Sequence, residues 1–199
     1  IAYGVNAEGE TARAGGWGWM VGDEGSGYDI GRRALTAALR AHDGRGEQTA
    51  LVGKIKTKLN LGDLGEVIDL LYATGMRSHE VAALAPLVAE AAEEGDEVAA
   101  CILREAGTEL GRAAVAVIRK LRLQGQFTVA QTGGVFQLGE SIRAAFEETV
   151  RLEAPECVVA PARFEPAVGA ALLALRELGV EVDEPLLRRM EASLRALGR

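Results

Sequence analysis

The spacing of apolar residues along the 199-residue chain predicts strands at its start and helices through its middle. "IAYGVN" and "TARAGGWGWM" predict two short strands joined by a turn at residues 6–9. After a glycine-rich stretch, apolar residues recur at helical spacing over residues 28–41. Residues 47–123 are predicted to be mostly helical, with one helix between a Ser78 N-cap and Gly95 and a longer one after it.

Beyond residue 123 the pattern alternates between β-prone runs and helices. The predicted elements are a strand over 127–130, a helix over 138–152, a strand over 156–161 and two helices that begin near Pro166 and Pro185. The last helix is expected to end at Gly198. This order predicts a single compact α/β domain with a partly parallel sheet.

Composition and net charge exclude some classes of binding partner. A net charge of −7 argues against nucleic acid and against anionic membranes, since both attract positive patches. Cys101 and Cys157 form no CxxC pair and are interpreted as reduced packing residues, which favours a cytoplasmic protein. No apolar run is long enough to span a bilayer, and no signal peptide is recognised. The chain begins at Ile1 within a predicted strand, so we expect sequence upstream of it.

The stretch "GGWGWMVGDEGSG", residues 15–27, combines six glycines, both tryptophans and two adjacent acids. Its glycines allow the backbone to approach a ligand closely. Asp23 and Glu24, beside an aromatic side chain and free amides, offer what a polyol ligand needs: hydroxyl acceptors and a flat apolar wall. A structural alternative stays open, in which Asp23 or Ser26 caps the following helix.

A second candidate site is the turn "TGG" that follows the strand predicted at 127–130. Backbone amides at the carboxyl end of a strand are where α/β sheets bind nucleotides. Glycine at such a turn can also serve sterics alone, and neither the Walker A nor the GxGxxG spacing is present. His42 and His79 have no second ligand at metal-binding spacing, so no metal site is predicted.

Three motifs resemble one known family. "AGGWGWMVGDEGSGYDIGRRAL", residues 14–35, resembles the most recognisable segment of the N-acetylglucosamine kinase and BadF/BadG/BcrA/BcrD-type ATPase family. "TGGVF", residues 132–136, resembles its nucleotide-side motif, and "EPAVGAALLAL", residues 165–175, resembles its closing helix. The motifs occur in the family's order, and the resemblance covers essentially the whole chain.

The resemblance implies the actin/Hsp70/sugar-kinase architecture, in which two RNase H-like lobes enclose ATP and substrate. This chain maps onto the C-terminal lobe only: a mixed sheet flanked by helices, with residues 47–123 as a helical insertion. Neither the family's DGGxT-like phosphate loop nor its catalytic aspartate is found in the sequence. The N-terminal lobe is therefore expected to be absent, and the isolated chain is expected to be inactive.

The resemblance also implies roles for individual residues. The sugar side would be formed by Gly16, Trp17, Asp23 and Glu24, and the adenosine side by Gly133, Gly134 and Val135. The implied reaction is in-line transfer of the γ-phosphoryl group of ATP to N-acetylglucosamine or glucosamine, with Mg²⁺ bridging the phosphates. No catalytic residue is assigned in this chain, because the base is expected in the other lobe.

Two other functions stay open. The first is an ATPase that activates a partner enzyme, some of which hold an iron–sulfur cluster between subunits; Cys101 and Cys157 make a poor pair for that role. The second is a non-catalytic binding or dimerisation module. The alanine-rich helices between residues 78 and 123 could form a homodimer interface, although core packing is the preferred interpretation.

Overall fold

The computed structural model describes residues 1–73 and 75–196. The chain divides into two compact units, residues 1–160 and residues 161–199. Whether these units act together as the single lobe implied by the sequence stays a prediction. The helix end expected at Gly198 lies outside the described residues.

The strands and helices follow one another in the order that the sequence predicts. The strands are β1 (Ala2–Val5), β2 (Thr11–Ala14), β3 (Thr128–Gln131) and β4 (Val158–Pro161). The helices are α1 (Gly27–His42), α2 (Leu51–Leu59), α3 (Val67–Tyr72), α4 (Ser78–Ala82), α5 (Ala85–Glu93), α6 (Glu97–Leu121), α7 (Glu140–Glu153), α8 (Pro166–Glu177) and α9 (Glu184–Ala196). Short 3-10 helices lie at Leu64–Glu66 and Gly134–Gln137.

One predicted helix is split in two. The helix expected between Ser78 and Gly95 is observed as α4 and α5. The break follows from Pro86 in the first turn of α5, because proline has no N–H to continue the hydrogen bonds of the preceding helix. The predicted Ser78 N-cap is also wrong: Arg77 occupies that position, and its N–H donates to the Glu80 carboxylate at 2.8 Å.

Helix α6 is the centre of the first unit. It packs against α1, α5, α7 and the strands β1 and β2. Small residues allow the closest approach: a Cβ at Gly107 would overlap the carbonyl oxygen of Ile142, and one at Gly111 would lie 2.6 Å from Cβ of Thr149 on α7. The alanines of α5 and α6 that face inward lie in the main core, which confirms their role in core packing; they are Ala85, Ala91, Ala99 and Ala106.

The described strands form two separate two-stranded sheets, so the single mixed sheet implied by the resemblance is not observed. Strands β1 and β2 pair antiparallel, with Ala2 opposite Ala14. Gly4 of β1 lies directly over Val117 of α6. The β3–β4 pair instead belongs with the smaller apolar cluster around Ile118 and Phe146. Both sheets thus depend on the same helix, and no described strand joins them.

The second unit contains α8 and α9. Pro166 begins α8, as the sequence predicts. The guanidinium of Arg163 binds Glu184 at 2.8 Å and Glu191 at 2.7 Å, which ties the segment before α8 to α9. Hydrogen bonds from Arg163 lower the pKa of Glu184 to about 2. None of the described helices has the length and hydrophobicity that crossing a bilayer would require.

Candidate functional site

The glycine-rich stretch forms the loop between β2 and α1, and its backbone takes conformations that favour glycine. φ is +73° at Gly16 and +76° at Gly25. Gly25 has a second requirement, because a Cβ there would lie 2.6 Å from the carbonyl oxygen of Ala106 and 2.8 Å from Cγ of Leu110. The loop is therefore fixed against helix α6 at Gly25.

Asp23 and Glu24 are the acids of this loop. Asp23 has a φ of +73°, a left-handed conformation that costs a residue with a side chain about 1–2 kcal/mol. Its carbonyl oxygen accepts a hydrogen bond from the Ser26 amide at 2.9 Å. Within the described part of the chain, neither the Asp23 nor the Glu24 carboxylate makes a hydrogen bond or an ion pair. Both carboxylates are thus available to a ligand.

The helix cap left open by the sequence belongs to Ser26. Its Oγ accepts a hydrogen bond from the Asp29 amide at 3.1 Å, the geometry of a serine N-cap. Asp23 therefore does not cap α1. Helix capping was the structural alternative to ligand binding for Asp23, and the structure assigns that capping to Ser26.

Asp29 is a functional candidate that the sequence analysis missed. Its side chain is buried, and it accepts hydrogen bonds from the Gly25 amide at 3.2 Å, Arg32 at 2.8 Å and Arg33 at 2.8 Å. The spacing Ser26-x-x-Asp29 is the signal that could have found it, because a capping box places an acid three residues after the N-cap. Here the acid reaches one residue further back than usual, to the amide of Gly25.

The tryptophans of the loop are exposed, Trp17 by 69% and Trp19 by 53%. The Arg13 guanidinium lies 5.3 Å from the centre of the Trp17 ring, within the range of a cation–π contact. At Gly22 the chain turns back on itself, so that a Cβ there would lie 3.2 Å from Cβ of Trp17 and 3.7 Å from Oε2 of Glu24. Trp17 and Glu24, two of the predicted sugar-side residues, therefore both lie next to Gly22.

The second candidate turn connects β3 to α7. Gly133 has a φ of +104°, and neither Gly133 nor Gly134 would bring a Cβ within 4 Å of another residue. Both expose bare backbone to open space, so close packing does not explain the glycine pair, although the φ of Gly133 itself requires glycine. Val135 differs, because its side chain is half-buried and packs against the main core.

Helix α6 connects the two candidate sites. Leu110 contacts Gly25 of the first loop, and it packs against both apolar clusters together with Phe136 of the second turn. Among the described residues, no hydrogen bond or ion pair joins the two sets of predicted site residues directly. Their relative placement therefore depends on α6 and the core around it.

A groove of about 740 Å³ lies elsewhere, between α1 and the first turns of α6. None of the predicted site residues lines it. Some of its charges are matched within the protein, since Arg33 pairs with Glu105 and Arg45 pairs with Asp43. We therefore assign the candidate site to the two loops and not to this groove.

The described residues contain no group of three His, Cys, Asp or Glu side chains able to hold a metal ion. Both cysteines are free: Cys157 is buried, as a packing residue should be, whereas Cys101 is exposed and that interpretation is wrong for it. Partial desolvation raises the pKa of both thiols, with the Glu105 carboxylate adding to the effect at the exposed Cys101, and this favours the protonated form over the metal-binding thiolate.

Similar proteins point to one enzyme class. The chain is 39% identical over 178 residues to the N-acetylmuramic acid/N-acetylglucosamine kinase of Clostridium acetobutylicum, covering 89% of this chain and 58% of that protein. It is 35% identical over 178 residues to the N-acetyl-D-glucosamine kinase of Dictyostelium discoideum, covering 88% and 56%. The chain thus spans little more than half the length of these curated relatives.

A solved structure agrees with these relatives. The crystal structure of a candidate N-acetylglucosamine kinase from Chromobacterium violaceum matches with a TM-score of 0.67 at 30% identity, over 86% of this chain and 54% of that one. The model of the BadF/BadG/BcrA/BcrD ATPase family matches residues 1–174, which include both candidate loops. The chain therefore belongs to the BadF/BadG/BcrA/BcrD ATPase family.

Proposed function

We propose that this chain is the C-terminal lobe of an ATP-dependent amino-sugar kinase that acts on N-acetylglucosamine or glucosamine. The observation that carries the proposal is the pair of unpartnered carboxylates, Asp23 and Glu24, on a loop held in place by helix α6. Two relatives named as kinases of N-acetylated amino sugars support the substrate class. The match to the Chromobacterium violaceum structure supports an actin-like, RNase H-like lobe.

The first loop is proposed to recognise the sugar. Sugar hydroxyls are hydrogen-bond donors, and the free carboxylate of Asp23 can accept from two of them, with Glu24 in support. The exposed ring of Trp17 offers a flat apolar surface for the sugar ring. Gly16, with a φ of +73°, lets the backbone turn beside that surface, and the Ile1 side chain fills the space where a Cβ of residue 16 would lie.

The second turn is proposed to lie against the adenosine of ATP. Gly133 and Gly134 leave the space above the turn open, so that a nucleotide can approach the backbone. Val135 joins this turn to the core, which gives the nucleotide side a fixed support.

The proposed reaction joins the two sides. A hydroxyl oxygen of the sugar attacks the γ-phosphorus of ATP, the bond to the bridging oxygen of the β-phosphate breaks, and ADP leaves. The hydroxyl proton passes to a carboxylate base outside this chain. Mg²⁺ bound to the ATP phosphates would neutralise their charge, but the described residues offer no cluster of metal ligands, so no residue here is assigned to it. The chain alone is therefore proposed to be inactive.

The proposal is tested with a full-length version that carries both lobes, incubated with ATP and either amino sugar. We expect sugar-dependent release of ADP together with a phosphorylated hexosamine detected by mass spectrometry. The absence of ATP-dependent phosphorylation of any hexosamine would overturn the proposal, and ATP hydrolysis that ignores sugar would favour a partner-activating ATPase. Turnover by the isolated 199-residue chain would contradict its assignment as one lobe of a two-lobed enzyme.

A further inference from the structure

Asp29 connects the first turn of α1 to the loop that precedes it. Oδ2 accepts hydrogen bonds from the Gly25 amide and from Nε of Arg33, and Oδ1 accepts from Nη2 of Arg32. The residue is only 5% exposed. Both carboxylate oxygens are therefore engaged inside the protein, unlike those of Asp23 and Glu24.

A buried carboxylate needs a reason, because removing a charge from water costs several kcal/mol per ion unless it is paired and hydrogen-bonded. Capping of α1 is not the reason, since Ser26 already caps the helix. Two of the three partners of Asp29 are the arginines of its own helix, which neutralise its charge. The third partner is the Gly25 amide, which lies outside the helix. This hydrogen bond joins α1 to the loop before it, and we take it to be the reason for burying Asp29.

Gly25 is held from two directions. On one side Asp29 binds its amide, and on the other side its Cα lies against Ala106 and Leu110 of α6. The Asp23 carbonyl is bound in turn by the Ser26 amide at 2.9 Å. Aspartate enters the left-handed region more readily than most residues with a side chain, and the bonds made by the Ser26 and Gly25 amides hold Asp23 in it.

We propose that Asp29 is a positioning residue that holds residues 23–25 in the conformation which presents Asp23 to the amino sugar. This inference rests on the proposed kinase function. Arg33 takes part through a second bond, since it also pairs with Glu105 of α6 and so connects Asp29 to the central helix.

The kinetic test compares Asp29→Asn with Asp96→Asn in the full-length kinase. Asp96 is the control, because it too accepts hydrogen bonds from backbone amides, those of Ala50 and Ala99, but it lies outside the loop of residues 15–27. Asp29→Asn is expected to raise the KM for the sugar about tenfold or more, because small displacements in a site cost large factors, while the KM for ATP changes less than about twofold. Asp96→Asn is expected to leave both KM values unchanged. An unchanged sugar KM in Asp29→Asn, or an equal rise in Asp96→Asn, would overturn the inference.

A second readout does not depend on activity. Both tryptophans of the 199-residue chain lie in this loop, so their indole N–H signals in a ¹⁵N NMR spectrum of the full-length protein, assigned by replacing Trp17 and Trp19 one at a time, report on the loop. We expect Asp29→Asn to shift or broaden both signals and Asp96→Asn to leave them in place. If the full-length protein phosphorylates no sugar, the proposed function fails, and these spectra still decide whether Asp29 orders the loop.

A third variant covers the case in which Asp29→Asn does not fold. Arg33→Gln leaves Asp29 paired with Arg32 and removes the connection to Glu105. It is expected to shift the same indole signals to a smaller extent. Indole signals identical to those of the wild type in this folded variant, checked by circular dichroism, would contradict the proposed role of the Asp29 network.

Discussion

Gly25 lies so close to Ala106 that a Cβ on the glycine would be 2.6 Å from the alanine carbonyl oxygen. This contact joins the loop that carries Asp23 and Glu24 to the helix at the centre of the core. A side chain at residue 25 would therefore force α6 to shift. The position therefore couples stability to the proposed sugar site.

We expect Gly25→Ala to lower the free energy of unfolding by about 2–4 kcal/mol, because the methyl group overlaps α6 and the residue sits in the left-handed region. Gly9→Ala is the matched control: its φ is +82°, but nothing lies within 4 Å of its Cβ. It should lose only about 1–2 kcal/mol. Urea unfolding measures both, and equal losses would show that the contact with Ala106 is not costly.

Gly107→Ala should also destabilise the protein, by about 1–3 kcal/mol, since the added methyl overlaps the carbonyl oxygen of Ile142 and forces α6 and α7 apart. Gly53 provides the contrast, because it lies inside helix α2 with open space around its Cβ. Gly53→Ala should stabilise the protein by about 0.5–1 kcal/mol through helix propensity. Thermal unfolding followed by circular dichroism would reveal the opposite signs, and a shift in the same direction for both would contradict the packing described for α6.

Asp23→Asn and Glu24→Gln should leave stability within about 0.5 kcal/mol of the wild type, because neither carboxylate has a partner in the described protein. Asparagine also tolerates the left-handed conformation at residue 23. Chemical denaturation checks this expectation. A loss comparable to that of Gly25→Ala would mean that these acids support the fold and are not reserved for a ligand.

Asp96 predicts a pH dependence. Partial burial raises its pKa, but hydrogen bonds from the amides of Ala99 and Ala50 and from the Thr49 hydroxyl outweigh that effect, so the pKa lies below the ordinary 3.8. Because the folded pKa is the lower one, the stabilisation is present above 3.8 and is lost as the pH falls through the folded value.

Asp96→Asn should therefore be less stable than the wild type near neutral pH, with a difference that narrows once the pH drops below 3.8. Urea unfolding of both proteins across this range is the measurement. A difference that grows as the pH falls would contradict a lowered pKa for Asp96.

Much of the fold could be predicted from local pattern. Helices α1 and α6 have long apolar stripes at helical spacing; α1 lies within one residue of the expected range 28–41, and α6 is the longer helix expected after Gly95. The break between α4 and α5 was missed because the apolar pattern continues across Pro86. The division into two small sheets could not be predicted, since strand pairing depends on contacts far apart in sequence.

The site was predictable to the extent that its residues are adjacent in sequence. The glycine-rich loop is evident from its composition and motif, but both Ser26 and Asp23 stand at positions that can cap α1, and only the fold of the loop decides for Ser26. The spacing Ser26-x-x-Asp29 could have drawn attention to Asp29, but its bonds to the Gly25 amide and to two arginines follow only from the folded loop.

The loop of residues 15–27 is proposed to recognise an amino sugar through Asp23. Steady-state kinetics of full-length wild type and Asp23→Ala, with N-acetylglucosamine and ATP varied separately, test it most directly. We expect Asp23→Ala to raise the sugar KM by about tenfold or more and to leave the KM for ATP nearly unchanged, because the lost acceptor is proposed to face only the sugar. A variant with normal sugar KM, or one in which only the KM for ATP rises, would contradict it.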